Sequence, residues 1–466
     1  MDLHHWLGRA VDTHAAWADG HGPRPGHPAL AVDDEALSTA FAELAGRLGT
    51  SYPFFHPRYA GQMLKPPHPV AVTGYLAAML VNPNNHALDG GPATSALEEE
   101  VVAALATMVG FPGDHLGHLT GGGTVANLEA LFVARETHPG KGIAYSAESH
   151  YTHARMCHLL GVEGHAVPTD DRGRMDVAAL ERLLDGGRIG TVVVTTGTTG
   201  LGAVDPVHRV LDLTEPAGVR VHVDAAYGGF FALLADEVPH GTPLVDPAPW
   251  RALRRCDSVV VDPHKHGMQP YGCGAVLFRD PSVQRFYRHD SPYTYFTSSR
   301  PHLGEISLEC SRAGASAAAL WLTLRLFPLT RDGLGEVVAA GRRTALRWAE
   351  RIAASPHLDL FQPPELDIVT YHPRVNPPSL KRITAASEHV LRAGMRGGQE
   401  DPVYVSTARI GADAFAARRG DAVVDAEETA VLRSVLMKPE AEPYLDRLHG
   451  RVEELASAAC RDGELP

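Results

Sequence analysis

The sequence predicts an α/β protein, a largely parallel sheet with helices on both faces, followed by a smaller α+β domain. Three observations carry that expectation. Short runs of β-branched and apolar residues recur between helical segments across 142–278, the strand–helix alternation of a parallel sheet. Polar residues gather just past the C-terminal ends of those runs, where open α/β sheets bind ligands. A chain of 466 residues is long enough for one large core and a second, smaller one.

Composition bounds the classes of function. With 44% hydrophobic and 21% charged residues and no apolar run long enough to span a bilayer, the chain is ordinary globular material. Its start, Met1, Asp2 and Leu3 onward, lacks a charged region ahead of an apolar core, so no signal peptide is expected. The cysteines at 157, 256, 273, 310 and 460 are scattered and lack CxxC spacing, which argues against a disulfide framework or a zinc site. No metal is therefore expected, and a reducing cytoplasm fits. A net charge of −13 disfavours nucleic acid and anionic membranes as partners.

Taken in order, residues 1 to about 50 read as helical, with Leu37, Phe41, Leu44 and Leu48 at helical spacing. The aromatic, proline-rich stretch from Tyr52 to Tyr59 reads as an ordered arm, serving either as structural packing or as a wall of a substrate pocket, its own or a partner subunit's. A helix is expected after the loop at 82–92. Thr94 or Ser95 would cap it, Glu98 would complete a capping box, and Leu97, Val101, Leu105 and Met108 share a face.

The glycine triplet Gly121, Gly122 and Gly123 opens directly into an apolar helix. Such a turn is either structural or a cradle of backbone amides for a phosphate, and it matches neither a Walker A loop nor GxGxxG. Strands are expected at 142–146, 191–196, 219–224, 258–261 and 272–278. Pro263 ends the 258–261 run by removing a ladder donor, which leaves His264 and Lys265 just past the strand. From about 331 onward a long helix over 346–352, strands near 366–371 and 431–437, and a last helix to about 460 form the smaller domain. The expected organisation is an N-terminal helical arm at 1–90, a large cofactor domain at 91–330 and a small domain at 331–466.

Lys265 alone reads as a surface lysine after a strand. Two companions change that reading: the amide cradle at Gly122, Gly123 and Thr124, and Asp224 at the end of a strand, 41 residues before the lysine. Pyridoxal phosphate needs all three. Its phosphate wants backbone amides at a helix start, its ring nitrogen stays protonated beside a carboxylate, and its aldehyde forms a Schiff base with a lysine whose proton desolvation or a nearby cation removes. His150 is either a packed histidine or one that stacks flat on the ring, and His264 is placed to donate to the phosphate.

At these residues the chain resembles a known family. Val221-His-Val-Asp-Ala-Ala-Tyr-Gly-Gly229 and Asp262-Pro-His-Lys265 resemble the cofactor-aspartate and Schiff-base motifs of the pyridoxal-phosphate-dependent group II amino-acid decarboxylases. Ser149-His-Tyr-Thr152 is similar to the segment carrying the ring-stacking histidine, and Gly122-Gly-Thr-Val-Ala-Asn127 to the phosphate loop. The resemblance runs from about Pro57 to about 440. It implies an aspartate-aminotransferase-like fold type I with a seven-stranded-type, mostly parallel sheet, and a homodimer with active sites at the interface. It also implies Lys265, His150 and Asp224 as catalytic residues, Thr195 and Ala226 among the cofactor contacts, and Arg433 as the holder of the substrate carboxylate.

The activity so implied is decarboxylation of an L-α-amino acid to its amine; the aromatic residues Tyr59, Tyr293 and Tyr295 either suggest an aromatic or apolar substrate side chain or pack the dimer interface. Many relatives protonate the substrate carbon with a tyrosine on a mobile loop, and the stretch taken to correspond, 326–335, has none. Either Tyr293 or Tyr295 takes that role or the protonation differs. Alternatives on the same scaffold are decarboxylation-coupled oxidative deamination, transamination and β-elimination; a non-catalytic scaffold protein is the remote one.

Overall fold

The structure is a computed structural model that describes residues 1–235, 243–287, 303–396 and 401–461. The N-terminal segment forms two capped helices. Asp2 accepts from the His5 N–H at the start of α1 (Leu3–Asp19), and Asp33 accepts from the Ala36 N–H at the start of α2 (Asp34–Leu48). Helix α2 buries none of its residues: Leu37, Phe41, Leu44 and Leu48 are 56%, 65%, 50% and 63% exposed, an apolar stripe along one face.

Helix α3 (Pro69–Met79) and helix α4 (Pro92–Met108) each start with proline, whose fixed φ and missing N–H suit a first helical position. The capping box expected for α4 is absent. Gly91 is the cap residue, Thr94 gives its hydroxyl to Asn85 Oδ1 at 2.6 Å, and Glu98 faces inward, accepting from the Leu119 N–H at 2.9 Å and from Arg312 at 3.0 Å. A buried carboxylate with charged and backbone donors is stable, and this one fastens α4 to the first strand.

The large sheet contains β1 (Leu116–Thr120), β2 (Gly142–Ser146), β3 (Gly164–Val167), β4 (Ile189–Thr195), β5 (Arg220–Asp224), β6 (Ser258–Val261) and β7 (Gly274–Phe278). Their order is β1-β7-β6-β5-β4-β2-β3. Neighbours from β3 to β6 run parallel, and only β7 is antiparallel to both of its neighbours. Every residue of β4, β6 and β7 is buried, as expected for strands covered by helices on both faces. The covering helices are α5 (Gly123–Thr137), α6 (Thr152–Leu160), α7 (Val177–Leu184), α8 (Val207–Thr214), α9 (Pro247–Ala252) and α10 (Ala315–Leu326).

Helix α11 (Leu334–Ala354) joins two cores. Its first half places Leu334 and Val338 in the core of the large sheet, and its second half places Trp348 and Ile352 in the core of a second sheet. That sheet is antiparallel, ordered β10-β11-β9-β8, with β8 (Leu358–Gln362), β9 (Ile368–Pro373), β10 (Ser406–Gly411) and β11 (Glu428–Val435). Helices α12 (Leu380–Gly394), α13 (Ala412–Arg418) and α14 (Ala441–Arg461) complete this part. Among the described residues no helix is long and apolar enough to cross a membrane.

Candidate active site

The C-terminal ends of five strands of the large sheet converge on one cleft of about 290 Å3. After β1 the chain turns through Gly121, Gly122 and Gly123 into α5, and no side chain caps that helix. The Gly121 N–H gives to Glu309 Oε2 at 2.9 Å and the Gly122 N–H to the Thr120 hydroxyl at 3.3 Å, whereas the first amides of α5, at Gly123 and Thr124, have no acceptor within the helix and stand at its positive dipole end. Gly122 has φ 144°, a conformation that side chains disfavour. At Gly123 a Cβ would come within 2.7 Å of Asp262 Oδ2, so both positions need glycine.

Asp224 ends β5. Its Oδ2 accepts from His153 Nε2 at 2.9 Å and its Oδ1 from the Ala226 N–H at 3.1 Å. Burial alone would raise its pKa, but the His153 hydrogen bond and the charges of His153 and Lys265 outweigh it and hold the carboxyl well below the usual carboxylate range. An ionised carboxylate therefore faces the cleft.

Lys265 lies past β6, its Nζ 3.1 Å from Asp262 Oδ2. Asp262 Oδ1 has no hydrogen-bond partner among the described residues. His150, at the entry to α6, accepts on Nδ1 from the Thr152 N–H at 3.4 Å and sits 2.8 Å from the Thr152 hydroxyl, which leaves the proton on Nε2. Burial, opposed by Asp224, lowers the His150 pKa, so the ring is neutral at pH 7. Thr195 is buried in the cleft wall with an unpartnered hydroxyl.

The cleft thus gathers the sequence-derived residues Gly122, Gly123, Thr124, His150, Thr195, Asp224, Ala226, His264 and Lys265. The expected donation by His264 is not what its ring offers. Its Nδ1 donates to the Cys273 carbonyl at 2.9 Å and its Nε2 faces Asp262 at 3.5 Å, so it borders the glycine turn through carbon.

Two substrate candidates stand outside the lining. Tyr59 packs edge-on to Phe54 at 4.9 Å and near Tyr404, with the Lys438 ammonium 5.2 Å over its ring. Arg433 donates to the carbonyls of Gly200 and Gly61, each at 3.1 Å, which places it behind the 197–202 loop with Nη2 unpartnered. Tyr293 and Tyr295 lie outside the described residues. The tyrosine-free stretch 326–335 does not reach the cleft. It joins α10 to α11, with Leu329 and Leu334 packed on the large core, so its lack of a tyrosine says nothing about the proton donor.

Sequence reasoning missed His153, Asp262, Asn127 and Tyr271. His153 had a signal, since it falls three residues after His150, in the first turn of the helix that His150 precedes. Asn127 donates to the Gly123 carbonyl and is itself held by His222, bracing the glycine turn from below.

The residues present fit pyridoxal phosphate. An uncapped helix start whose glycine a Cβ would overfill, an ionised carboxylate aimed into the cleft and a primary amine meet in one cavity.

Comparison with known proteins agrees. Residues 55–373 match the family model described as the pyridoxal-dependent decarboxylase conserved domain. An L-tyrosine decarboxylase of Enterococcus faecium is 29% identical over 74% of this chain and 73% of its own length. A probable L-tyrosine/L-aspartate decarboxylase of Methanoculleus marisnigri is 34% identical over 62% of this chain and 74% of its own. The crystal structure of Oryza sativa TDC with PLP and tryptamine superposes with a TM-score of 0.79 at 19% identity, covering 99% of this chain and 98% of that one, a likeness of fold.

Proposed function

The chain belongs to the pyridoxal-dependent decarboxylase family, and from that premise we propose that it converts an L-α-amino acid with an aromatic or apolar side chain to the corresponding amine. It is a pyridoxal-phosphate-dependent amino-acid decarboxylase, a carboxy-lyase of fold type I. The observation that carries the reading of the site is the meeting of Lys265, the ionised Asp224 and the uncapped start of α5 in one cleft.

When bound, pyridoxal phosphate supplies an aldehyde and an electron-withdrawing ring that takes up the electron pair left by departing carbon dioxide. The chain's residues divide the remaining work. The amides of Gly123 and Thr124 would hold the phosphate. Asp224, kept charged by His153, would hold a proton on the ring nitrogen, which keeps the ring an effective sink. His150 and Ala226 would bound the ring, and Lys265 provides the amine. Asp262, 3.1 Å from Lys265 Nζ, orients that amine and takes up its charge. Arg433 has one buried guanidinium nitrogen unpartnered among the described residues, which supports a carboxylate-holding role. Such an anchor would fix which bond at the substrate carbon stands across the ring plane.

Tyr271 at the cleft and the L-tyrosine decarboxylase relative support an aromatic substrate. The exposed apolar stripe on α2 supports a homodimer that covers it, with the aromatic arm reaching a partner's site. The free thiols of Cys157, Cys256 and Cys273 fit a reducing cytoplasm. The test is a product assay over a panel of amino acids. Amine and carbon dioxide in equal amounts without oxygen uptake from an aromatic or apolar substrate are expected; oxygen consumption, or release only from acidic substrates, would overturn the proposal.

A further inference from the structure

A second cavity, of about 310 Å3, lies where the arm, the turn after Lys265 and the chain entering α14 meet. It shares no lining residue with the cofactor cleft. Two lysines face it, and both are buried: Lys65 is 8% and Lys438 4% exposed. Lys65 Nζ has only the Met437 carbonyl, at 3.4 Å, and Lys438 Nζ donates to the Tyr59 carbonyl. Among the described residues neither ammonium has a carboxylate within ion-pair distance. Buried charges are ordinarily paired, so an unpaired couple in one cavity points to a missing anion.

The surroundings add to the positive field. Helix α3 begins at Pro69 and α14 follows Glu440, and both Pro69 and Glu440 line the cavity, so two helix N-termini open beside it. Glu440 is the sole acidic lining residue, and it is exposed. Apart from His68, the remaining walls are apolar, with Phe55, Met268, Phe327 and several prolines. Inorganic phosphate would gain nothing from such walls, whereas an organic acid would bury its hydrocarbon part against them.

We propose that this cavity is a binding site for an organic dicarboxylate, its carboxylates held by Lys65 and Lys438 and its hydrocarbon chain lying against the apolar walls. The ligand would touch the turn that carries the reactive lysine. Met268, three residues after Lys265, forms part of the wall, holds φ 59°, and accepts from the His68 N–H at 3.0 Å. The site does not depend on which amino acid is the substrate.

The titratable groups that face the two lysines are His56, Tyr59, His68, Glu440 and Asp367, besides each other. Burial lowers both lysines to about 8, so they are charged at pH 7 and largely neutral at pH 9.5. The experiment titrates glutarate, and in parallel inorganic phosphate, into the holoenzyme and follows thermal unfolding and calorimetric heat. Glutarate is expected to bind at pH 7 at least tenfold more tightly than at pH 9.5, and at least tenfold more tightly than phosphate. Lys65→Met and Lys438→Met, with the cofactor still bound, should each lose that binding. If either variant fails to fold, the pH series on the unaltered enzyme decides. No glutarate binding, binding unchanged in the folded variants or with pH, or phosphate binding as tightly would overturn the proposal.

Discussion

His153 places Nε2 2.9 Å from Asp224 Oδ2, and this contact sets the charge of the carboxylate on the cleft floor. Since the contact holds the Asp224 pKa down, the carboxylate stays ionised through neutral pH and would protonate only in strong acid. His153→Leu should raise that pKa, because burial then acts with only the Ala226 N–H and the Lys265 charge left to oppose it. Cofactor affinity should fall roughly tenfold at pH 7, the scale of a charge-assisted hydrogen bond, and more steeply toward pH 5. Absorbance titration of the cofactor across pH 5–8 measures both; an unchanged pH profile would assign His153 a packing role.

Lys265→Ala removes the amine beside Asp262. Turnover and the covalent cofactor absorbance should both disappear, while the fold, read by circular dichroism, is kept. Retention of either would sink the assignment of Lys265.

Gly123→Ala tests the cradle. The added Cβ meets Asp262 Oδ2 at 2.7 Å and Ala226 Cβ at 3.2 Å, so the turn must shift away from both. Cofactor affinity should drop at least tenfold, with little change in the melting temperature of the cofactor-free chain, since alanine suits a helix better than glycine by roughly 0.5–1 kcal/mol. Equal affinity in the variant would show that the turn does not meet the phosphate.

The lysine pair bears on stability in a direction set by its titration. A lysine held at about 8 when folded, against an ordinary 10.5, binds its proton less well in the folded chain. Its charge therefore opposes folding below pH 8, and the penalty fades as pH rises toward 10.5. Lys65→Met should stabilise the ligand-free chain at pH 7 by a few kcal/mol, on the order of 1.4 kcal/mol for each pKa unit, and by much less at pH 10. Denaturant melts at the two pH values compare the gains; destabilisation at pH 7 would mean that Lys65 has a compensating partner.

The stripe on α2 gives a test of assembly. Changing Leu37 and Phe41 together to glutamate puts two charges on a face that is apolar and exposed in one chain. Light scattering should report a monomer in place of a dimer, with activity lost in parallel. A dimer that survives would move the interface elsewhere.

Much of the large sheet was legible because buried parallel strands write themselves as unbroken β-branched runs, as Val259 to Val261 do. β1 and β3 were not, since Leu116 to Thr120 is masked by glycine and histidine and Gly164 to Val167 is a four-residue edge strand. The Thr94–Glu98 spacing misled because tertiary contacts claimed both side chains: Asn85 took the threonine, and Leu119 and Arg312 took the glutamate. The candidate cofactor residues fell on strand ends and were visible by position. Asp262 and His153 matter through whom they touch, and spacing alone does not display that.

The proposed phosphate cradle, ring carboxylate and reactive lysine all sit at the ends of one sheet's strands, whereas Arg433, the proposed carboxylate anchor, belongs to the other sheet and meets the cleft only through the loop ending at Gly202. Grip on the reaction and grip on the substrate are thus mounted on separate plates. Every α-amino acid carries the carboxylate that Arg433 would grip, so a tilt of one plate against the other would turn all substrates alike, while preference among side chains would be decided beside Tyr271.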